Sequence, residues 1–194
     1  MSVRRLLVLS LLVTGLLAVP VPVSAGPRTD AAFVRATNAE RREHGLKAMK
    51  TSRMLAKLAR SHSVAMARKS ARRYGGRCDA RALWHNDISK ATDHWVWLGQ
   101  NVGCRSAGSN VAASVRRIQD AFMDSTGHRR NILYRRANLF GVGTHVKGGV
   151  VWVTVNFEQT TPGWGSPTGQ SAGRNGTAAA EGGSKPRYPL TARR

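Results

Sequence analysis

Two histidines are the residues of this chain best suited to chemistry. His85 lies in residues 84–87 (Trp-His-Asn-Asp), and His128 lies in residues 125–129 (Ser-Thr-Gly-His-Arg). An imidazole ring exchanges protons near neutral pH and binds metal ions through an unprotonated nitrogen. The two histidines are 43 positions apart, so spacing alone does not predict that they meet. Each could instead be a surface or hydrogen-bonding residue.

Ser125 lies three residues before His128, a spacing that could pair a nucleophilic hydroxyl with a general base. A structural role is the simpler interpretation, because Ser125 precedes a short helical segment and its hydroxyl can accept the backbone N–H of His128. The chain has no Gly-x-Ser-x-Gly motif, which positions the serine of many hydrolases. We therefore expect Ser125 to cap a helix.

Helices are needed to position these residues, and apolar periodicity predicts three of them. The first covers residues 30–43, with Asp30 as N-cap and Phe33, Val34 and Thr37 inward. The second covers residues 51–71 and is strongly amphipathic. Its apolar face consists of Met54, Leu55, Leu58, Ala59, His62, Ala65 and Met66. On this face, His62 is expected to be a hydrogen-bonded core residue rather than a ligand.

The third helix is predicted over residues 110–124, where Val111, Val115, Ile118 and Phe122 recur at helical spacing. A short helical turn at residues 127–133 follows it. Residues 139–146 and 150–157 then alternate apolar and polar side chains around Lys-Gly-Gly, which predicts a β-hairpin. These elements indicate a single α+β domain.

The two histidine segments, together with residues 99–102 (Gly-Gln-Asn-Val), resemble the signatures of the CAP superfamily over about residues 33–157. This superfamily includes cysteine-rich secretory proteins, antigen 5 and plant pathogenesis-related proteins, and the match is to its compact bacterial branch. The resemblance implies a three-layer α-β-α sandwich with a small central antiparallel sheet. It also implies that His85 and His128 face each other across a cleft.

In that family two histidines and two glutamates commonly ring the cleft and can hold a divalent cation. Here Gln100 and Ser125 stand at the positions of the two acids. Zinc sites usually use three or four side-chain ligands, and carboxylates help to offset desolvation of the ion. We therefore expect His85 and His128 to bind a cation such as zinc weakly at best. We expect no catalytic residue and no resident cofactor.

The two ends of the chain differ in composition from its middle. Residues 1–25 combine Arg4 and Arg5, a leucine-rich run and Val-Ser-Ala, which predicts a secretory signal peptide cleaved after Ala25. Residues 26–160 form the predicted domain. Residues 161–194 are rich in Gly, Ser, Thr, Ala and Pro and are predicted to be a disordered basic tail. The protein is therefore expected to be secreted and extracellular.

Cys78 and Cys104 are the two cysteines of the chain. An even count in an exported protein favours a disulfide bond between them, with two free thiols as the alternative.

Positive charge dominates the composition. The formal net charge is +21, and loss of Arg4 and Arg5 with the signal peptide leaves +19. We expect a basic surface on the second helix, formed by Arg53, Lys57, Arg60 and Arg68. Such a surface attracts extracellular polyanions, including wall polymers and anionic membrane surfaces, although it could also be merely solubilising. Specific nucleic-acid recognition is not expected, since the chain has no stacking platform or nucleic-acid motif.

Three functional interpretations follow. The preferred one is a non-enzymatic secreted module that binds a lipid, a cell-wall component, another small ligand or a protein. The second is a metal-dependent extracellular hydrolase that uses His85 and His128. The third is a polycationic protein associated with the wall or membrane, whose cleft is vestigial.

Overall fold

The structure is a computed structural model of the 194-residue chain, and it describes residues 26–92, 94–107 and 110–162. The predicted signal peptide lies outside these residues, as does the predicted tail after Pro162. The helices and longer strands run in the order α1 (Gly26–Glu43), β1 (Lys50–Thr51), α2 (Arg53–Arg73), β2 (Trp95–Ser106), α3 (Val111–Asp124), α4 (Thr126–Ile132), β3 (Leu139–Lys147) and β4 (Val150–Thr160). Short 3₁₀ turns at Ala80–Ala82 and Ser89–Ala91 connect α2 to β2.

The four strands form one sheet in the order β1-β3-β4-β2. The predicted hairpin is β3 and β4, which pair antiparallel, and β4 also pairs antiparallel with β2. The two-residue strand β1 pairs parallel with β3, so the sheet is mixed at that edge. Thr51, which periodicity assigned to the second helix, belongs to β1, and α2 begins at Arg53 with Ser52 as its N-cap.

Helices cover both faces of this sheet. Alternate side chains of β4, including Val153 and Phe157, pack with α1 and α3 in one apolar cluster. Trp152 faces the other way and packs with Met66 of α2 in a second cluster. Because successive residues of a strand point to opposite faces, one buried strand contributes to both cores. The predicted three-layer α+β architecture is confirmed.

Close packing of α2 against β3 sets the position of the second helical layer. A Cβ atom at Gly141 or Gly143 would overlap the backbone of Ala56 or Arg60, so only glycine permits this approach. The helix consequently buries Leu55 and other small or apolar residues along one stripe. Met54 was predicted to share that stripe but is 37% exposed, because it lies beside the contact line rather than on it.

The start of α1 also differs from the prediction. The helix begins at Gly26, so Asp30 lies within it and does not cap it. Asp30 instead forms an ion pair with Arg60 and accepts hydrogen bonds from the backbone and hydroxyl of Thr144. Its carboxylate therefore ties α1 to α2 and β3 through contacts that are distant in sequence.

A disulfide bond joins Cys78, after α2, to Cys104 in β2, as expected. It anchors the loop that leads to His85. Among the helices of the described residues, none combines the length and apolar character needed for a membrane crossing.

Candidate functional site

One pocket of about 280 Å³ opens at the β2 edge of the sheet, between the loop after Trp84 and helix α4. His85, Gln100, Ser125 and His128 all line it. The structure therefore brings together four positions that the sequence alone could not place in one cleft. The remaining lining residues are Asn86, Asp87, Ile88, Trp97, Leu98, Gly99, Gly127, Arg130 and Asn131.

Gln100 is the centre of a hydrogen-bond network at the base of the cleft. Its Nε2 donates to Oδ1 of Asn86 and to Oδ1 of Asn156, each at 2.8 Å. Its Oε1 accepts from the backbone N–H of Asn86 and from Nδ1 of His85, each at 3.2 Å. Both amide hydrogens and both lone-pair directions are therefore used within the protein. A carboxylate could not replace this amide, because it cannot donate.

The orientation of each amide in this network follows from its neighbour. Asn156 donates from Nδ2 to the backbone oxygen of Leu55 at 3.1 Å, which directs its Oδ1 toward Gln100. Gln100 must then present Nε2 to Asn156 and Oε1 to His85. Because Oε1 only accepts, the Nδ1 atom of His85 carries the proton in this arrangement. The Nε2 atom of the neutral ring is left as an acceptor or a metal ligand.

His128 is positioned by α4, which follows α3 closely. Its backbone oxygen accepts from Nδ2 of Asn101 at 3.1 Å, and its ring lies 4.9 Å from the ring of Phe122. Burial lowers the pKa of His128, and the charge of His85 lowers it further. The neutral form of His128 is therefore favoured.

Ser125 occupies the N-cap position of α4, but its hydroxyl makes no capping hydrogen bond. That part of the prediction is wrong: the backbone oxygen of Ser125 accepts from Arg129, and the hydroxyl lines the pocket instead. Within the described residues this hydroxyl has no hydrogen bond to His128. The geometry thus shows no paired nucleophile and base.

Carboxylates contribute little to the cleft. Asp87 lines the pocket, but its Oδ1 accepts from the backbone and hydroxyl of Ser89. In the part of the chain that the structure describes, no group of three or more His, Cys, Asp or Glu side chains is placed to hold a metal ion. Among the described residues that line this pocket, the titratable side chains able to contact a cation are His85, His128 and Asp87.

Sequence reasoning missed the apolar wall of the pocket. Trp97 contributes to this wall, lies over Gly99, and packs against Tyr134 with ring centroids 4.1 Å apart and ring planes tilted by 30°. A Cβ at residue 99 would overlap the indole. The sequence did offer one signal for this wall. Trp95 and Trp97 occupy alternate positions, as aromatic residues on one face of a strand do, and they lie at the start of β2.

His62 lies outside this cleft. It is 5% exposed, and its Nε2 is 2.7 Å from the backbone oxygen of Trp84. Burial lowers the pKa of His62. The predicted core role is observed, and this hydrogen bond also holds the residue that precedes His85.

Three of the four cations predicted to form the basic surface of α2 are exposed, and the fourth is in an ion pair. Arg53, Lys57 and Arg68 are exposed, whereas Arg60 is half-buried. Arg60 pairs with Asp30 and donates to the backbone oxygen of Thr144 at 2.8 Å. It is better described as a link between α2 and its neighbours than as part of the basic surface.

A three-layer α+β domain with two histidines in a cleft at the sheet edge is the arrangement that the resemblance to the CAP superfamily predicts. Residues 34–157 match the model of the cysteine-rich secretory protein family, CAP. The chain therefore belongs to this family.

Among known proteins, the chain is similar to the uncharacterized protein YkwD of Bacillus subtilis (strain 168), with 30% identity over 122 residues. This match covers 61% of the chain but only 43% of YkwD. In structure it is similar to an extracellular SCP-domain protein from Bacillus anthracis, at a TM-score of 0.50 and 19% identity, covering 69% of this chain and 41% of that one. It is also similar to an outer surface protein from Borrelia burgdorferi, at a TM-score of 0.50 and 12% identity, covering 70% of this chain and 95% of that one. At these identities the structural likeness shows the fold alone.

Proposed function

We propose that this protein is a secreted, non-enzymatic CAP-domain module that binds a ligand or partner through its neutral cleft, assisted by its basic surface. The observation that carries the proposal is the saturated amide of Gln100, which holds His85 by a hydrogen bond where a catalytic or metal-binding acid would be needed. Export is supported by the predicted signal peptide and by relatives described as extracellular or outer-surface proteins.

The cleft has the composition of a binding site. It joins an apolar wall containing Trp97 and Ile88 to polar groups on His85, His128 and Asn131. Small-molecule sites commonly combine a mainly apolar lining with a few fixed polar groups. The hydrogen bonds of Gln100 to His85, Asn86 and Asn156 pre-organise the polar base of the cleft, so ligand binding does not have to order it.

Retained ligands provide the test of this proposal. Molecules that copurify with the mature protein would be identified by mass spectrometry and compared with those on Ser125→Phe, which fills the cleft without breaking a hydrogen bond. Ala112→Phe, at an exposed site on α3, is the matched control. We expect a retained small molecule on the wild type and on Ala112→Phe but not on Ser125→Phe. Equal retention by all three proteins would contradict a cleft-bound ligand.

A hydrolase that uses His85 and His128 is not supported by the arrangement of the cleft. General acid-base catalysis needs a proton carrier within reach of the reacting group and an oriented partner. The orienting group of His85 is a neutral amide, and Ser125 is not paired with His128. Hydrolysis of ester or peptide substrates that appears on adding zinc and disappears in His85→Ala would reverse this conclusion.

A polycationic surface protein is the second candidate, and the exposed cations of α2 favour it. Arg53, Lys57 and Arg68 form no ion pair with the described residues. Their free charge would attract anionic wall polymers or membranes. Glutamate substitutions at these three positions that abolish surface retention, while the Ser125→Phe variant retains it, would favour this candidate.

A further inference from the structure

A second concentration of positive charge lies beside the cleft, at the end of α4 and in the turn that follows. Arg130, Arg135 and Arg136 line a shallow groove together with Leu133 and Tyr134. We name this surface the arginine groove. All three arginines are exposed, and none forms an ion pair with the described residues. Their charge is therefore available to an external anion.

The backbone of the arginine groove is held by a buried cation. Arg41, which is 1% exposed, donates to the backbone oxygens of Ile132 at 2.6 Å, Tyr134 at 3.0 Å and Ala137 at 3.3 Å. It also donates to the backbone oxygen of Lys47 at 2.9 Å. Like charges on a flexible turn could move apart, but these bonds fix the turn that carries Arg135 and Arg136. The backbone that carries Arg135 and Arg136 is thus pre-organised.

The arginine groove is continuous with the cleft. Arg130 lines both, and the ring of Trp97 in the cleft wall packs against the ring of Tyr134 in the groove. A ligand can therefore place one part in the neutral cleft and an adjacent negative group on the arginines. The pocket volume of about 280 Å³ is at the small end for ligand sites, which suits a ring-sized unit better than a long acyl chain.

The chemistry of the two parts indicates the kind of ligand. A sugar ring offers an apolar face to an aromatic side chain and hydroxyls to amide and imidazole groups, all of which the cleft supplies. Carboxylate or phosphate groups on the neighbouring units would pair with guanidinium groups. A membrane fits less well, because the large apolar residues exposed within the described residues are Met54 and Val96, and neither lines the groove.

We infer that the cleft and the arginine groove form one composite site for an acidic glycan, with a sugar ring against Trp97 and its anionic groups on Arg130, Arg135 and Arg136. The inference rests on the proposed ligand-binding role of the cleft and deepens it. The site differs from the basic surface predicted on α2, which holds a comparable number of free cations.

Calorimetric titration of the full mature chain with a defined oligogalacturonate tests the inference. Maltooligosaccharide of the same length is the neutral control, and phosphatidylglycerol vesicles represent a membrane. Substituting glutamine at Arg130, Arg135 and Arg136 removes three charges from the groove. Substituting glutamine at Arg53, Lys57 and Arg68 removes the same charge from α2.

We expect the wild type to bind the acidic oligosaccharide and not the neutral one. The groove variant should lose about tenfold or more in affinity, as expected for lost charge-assisted hydrogen bonds, and the α2 variant should lose much less. Ser125→Phe should also weaken binding. Equal losses in both charge variants, stronger binding to vesicles than to the oligosaccharide, or no binding by the wild type would each overturn the inference. If the inference fails while Ser125→Phe still loses a copurified ligand, the proposed function stands without it.

Discussion

The cleft and the arginine groove share Arg130, but they differ in how far their polar groups are hydrogen-bonded or ion-paired within the protein. In the cleft, Gln100 uses all of its hydrogen-bonding capacity within the protein, and the burial of His128 favours its neutral form. In the groove, three exposed guanidinium groups have no ion-pair partner among the described residues. The amide at the base of the cleft is uncharged and fully hydrogen-bonded, whereas the groove presents positive charge without an ion pair to a described residue. The difference indicates that the cleft would recognise a ligand by its shape, whereas the groove would attract the ligand by its charge.

Among the variants that distinguish the cleft from the arginine groove, Arg41→Met is expected to have the largest effect on stability. Loss of the buried guanidinium removes the side-chain donor from four backbone oxygens, although the oxygen of Tyr134 still accepts from the backbone N–H of Ala137. We expect the free energy of unfolding to fall by about 3–4 kcal/mol. Urea denaturation measures this loss. The exposed neighbour Arg42→Met is the control and should change stability by less than about 0.5 kcal/mol. A small effect at Arg41 would mean that the groove is not held as described.

Gln100→Glu should have the next largest effect. The substitution restores the acid expected from the family, but it turns two donated hydrogen bonds into repulsion from Oδ1 of Asn86 and of Asn156. We expect a loss of about 2–3 kcal/mol at neutral pH. Gln159→Glu is the matched control, because Gln159 accepts a hydrogen bond from Tyr134 through Oε1 and a carboxylate can do the same. Equal stability of the two variants would refute the saturated network.

Much of the fold could be predicted from apolar periodicity, but strand β2 of the sheet could not. The helices and the β3-β4 hairpin have strong periodic patterns, so they were found within a few residues of their bounds. Strand β2 was missed because Gly99, Gln100, Asn101 and Gly103 break the alternation of apolar residues. Those residues serve packing and hydrogen bonding at the cleft, which a local pattern does not reveal.

Tertiary contacts also explain the errors at single residues. Asp30 and Arg60 were predicted to be a cap and a surface charge, but they form an ion pair between α1 and α2, and both are hydrogen-bonded to Thr144 of β3. Gln100 was interpreted as a lost acid, whereas its partner Asn156 lies 56 positions away and gives the amide its own role. Local sequence does not reveal such distant partners. The family resemblance indicates where the cleft lies but not which residues form hydrogen bonds there.

The pH dependence of stability should reflect the buried histidines. Burial lowers the pKa of His62 and of His128 below 6.5, so the unfolded chain binds protons before the folded one as the pH falls. Unfolding should therefore become easier as the pH drops through about 6.5. At lower pH, Asp30 and Glu158 act in the opposite direction, because burial raises their pKa values. Thermal unfolding of His128→Gln should show a shallower dependence, and an unchanged slope would contradict the burial of this ring.

The smallest effect on stability is expected in the groove itself. Glutamine at Arg135 and Arg136 removes exposed charges without breaking an ion pair to any described residue, so each change should alter the free energy of unfolding by less than about 0.5 kcal/mol. Relief of repulsion between neighbouring cations should make the change favourable at low salt. A large loss in denaturant titrations would show that these arginines have a structural role instead of an exposed one.

Zinc calorimetry on the metal-free mature protein tests the neutral character of the cleft most directly. With Gln100 and Ser125 at the positions of the two acids, the two imidazoles should bind zinc no more tightly than about micromolar, so the wild type and His85→Ala should both lack sub-micromolar binding. Sub-micromolar binding that disappears in His85→Ala would contradict the account, because it would show a metal centre where we describe a neutral binding cleft.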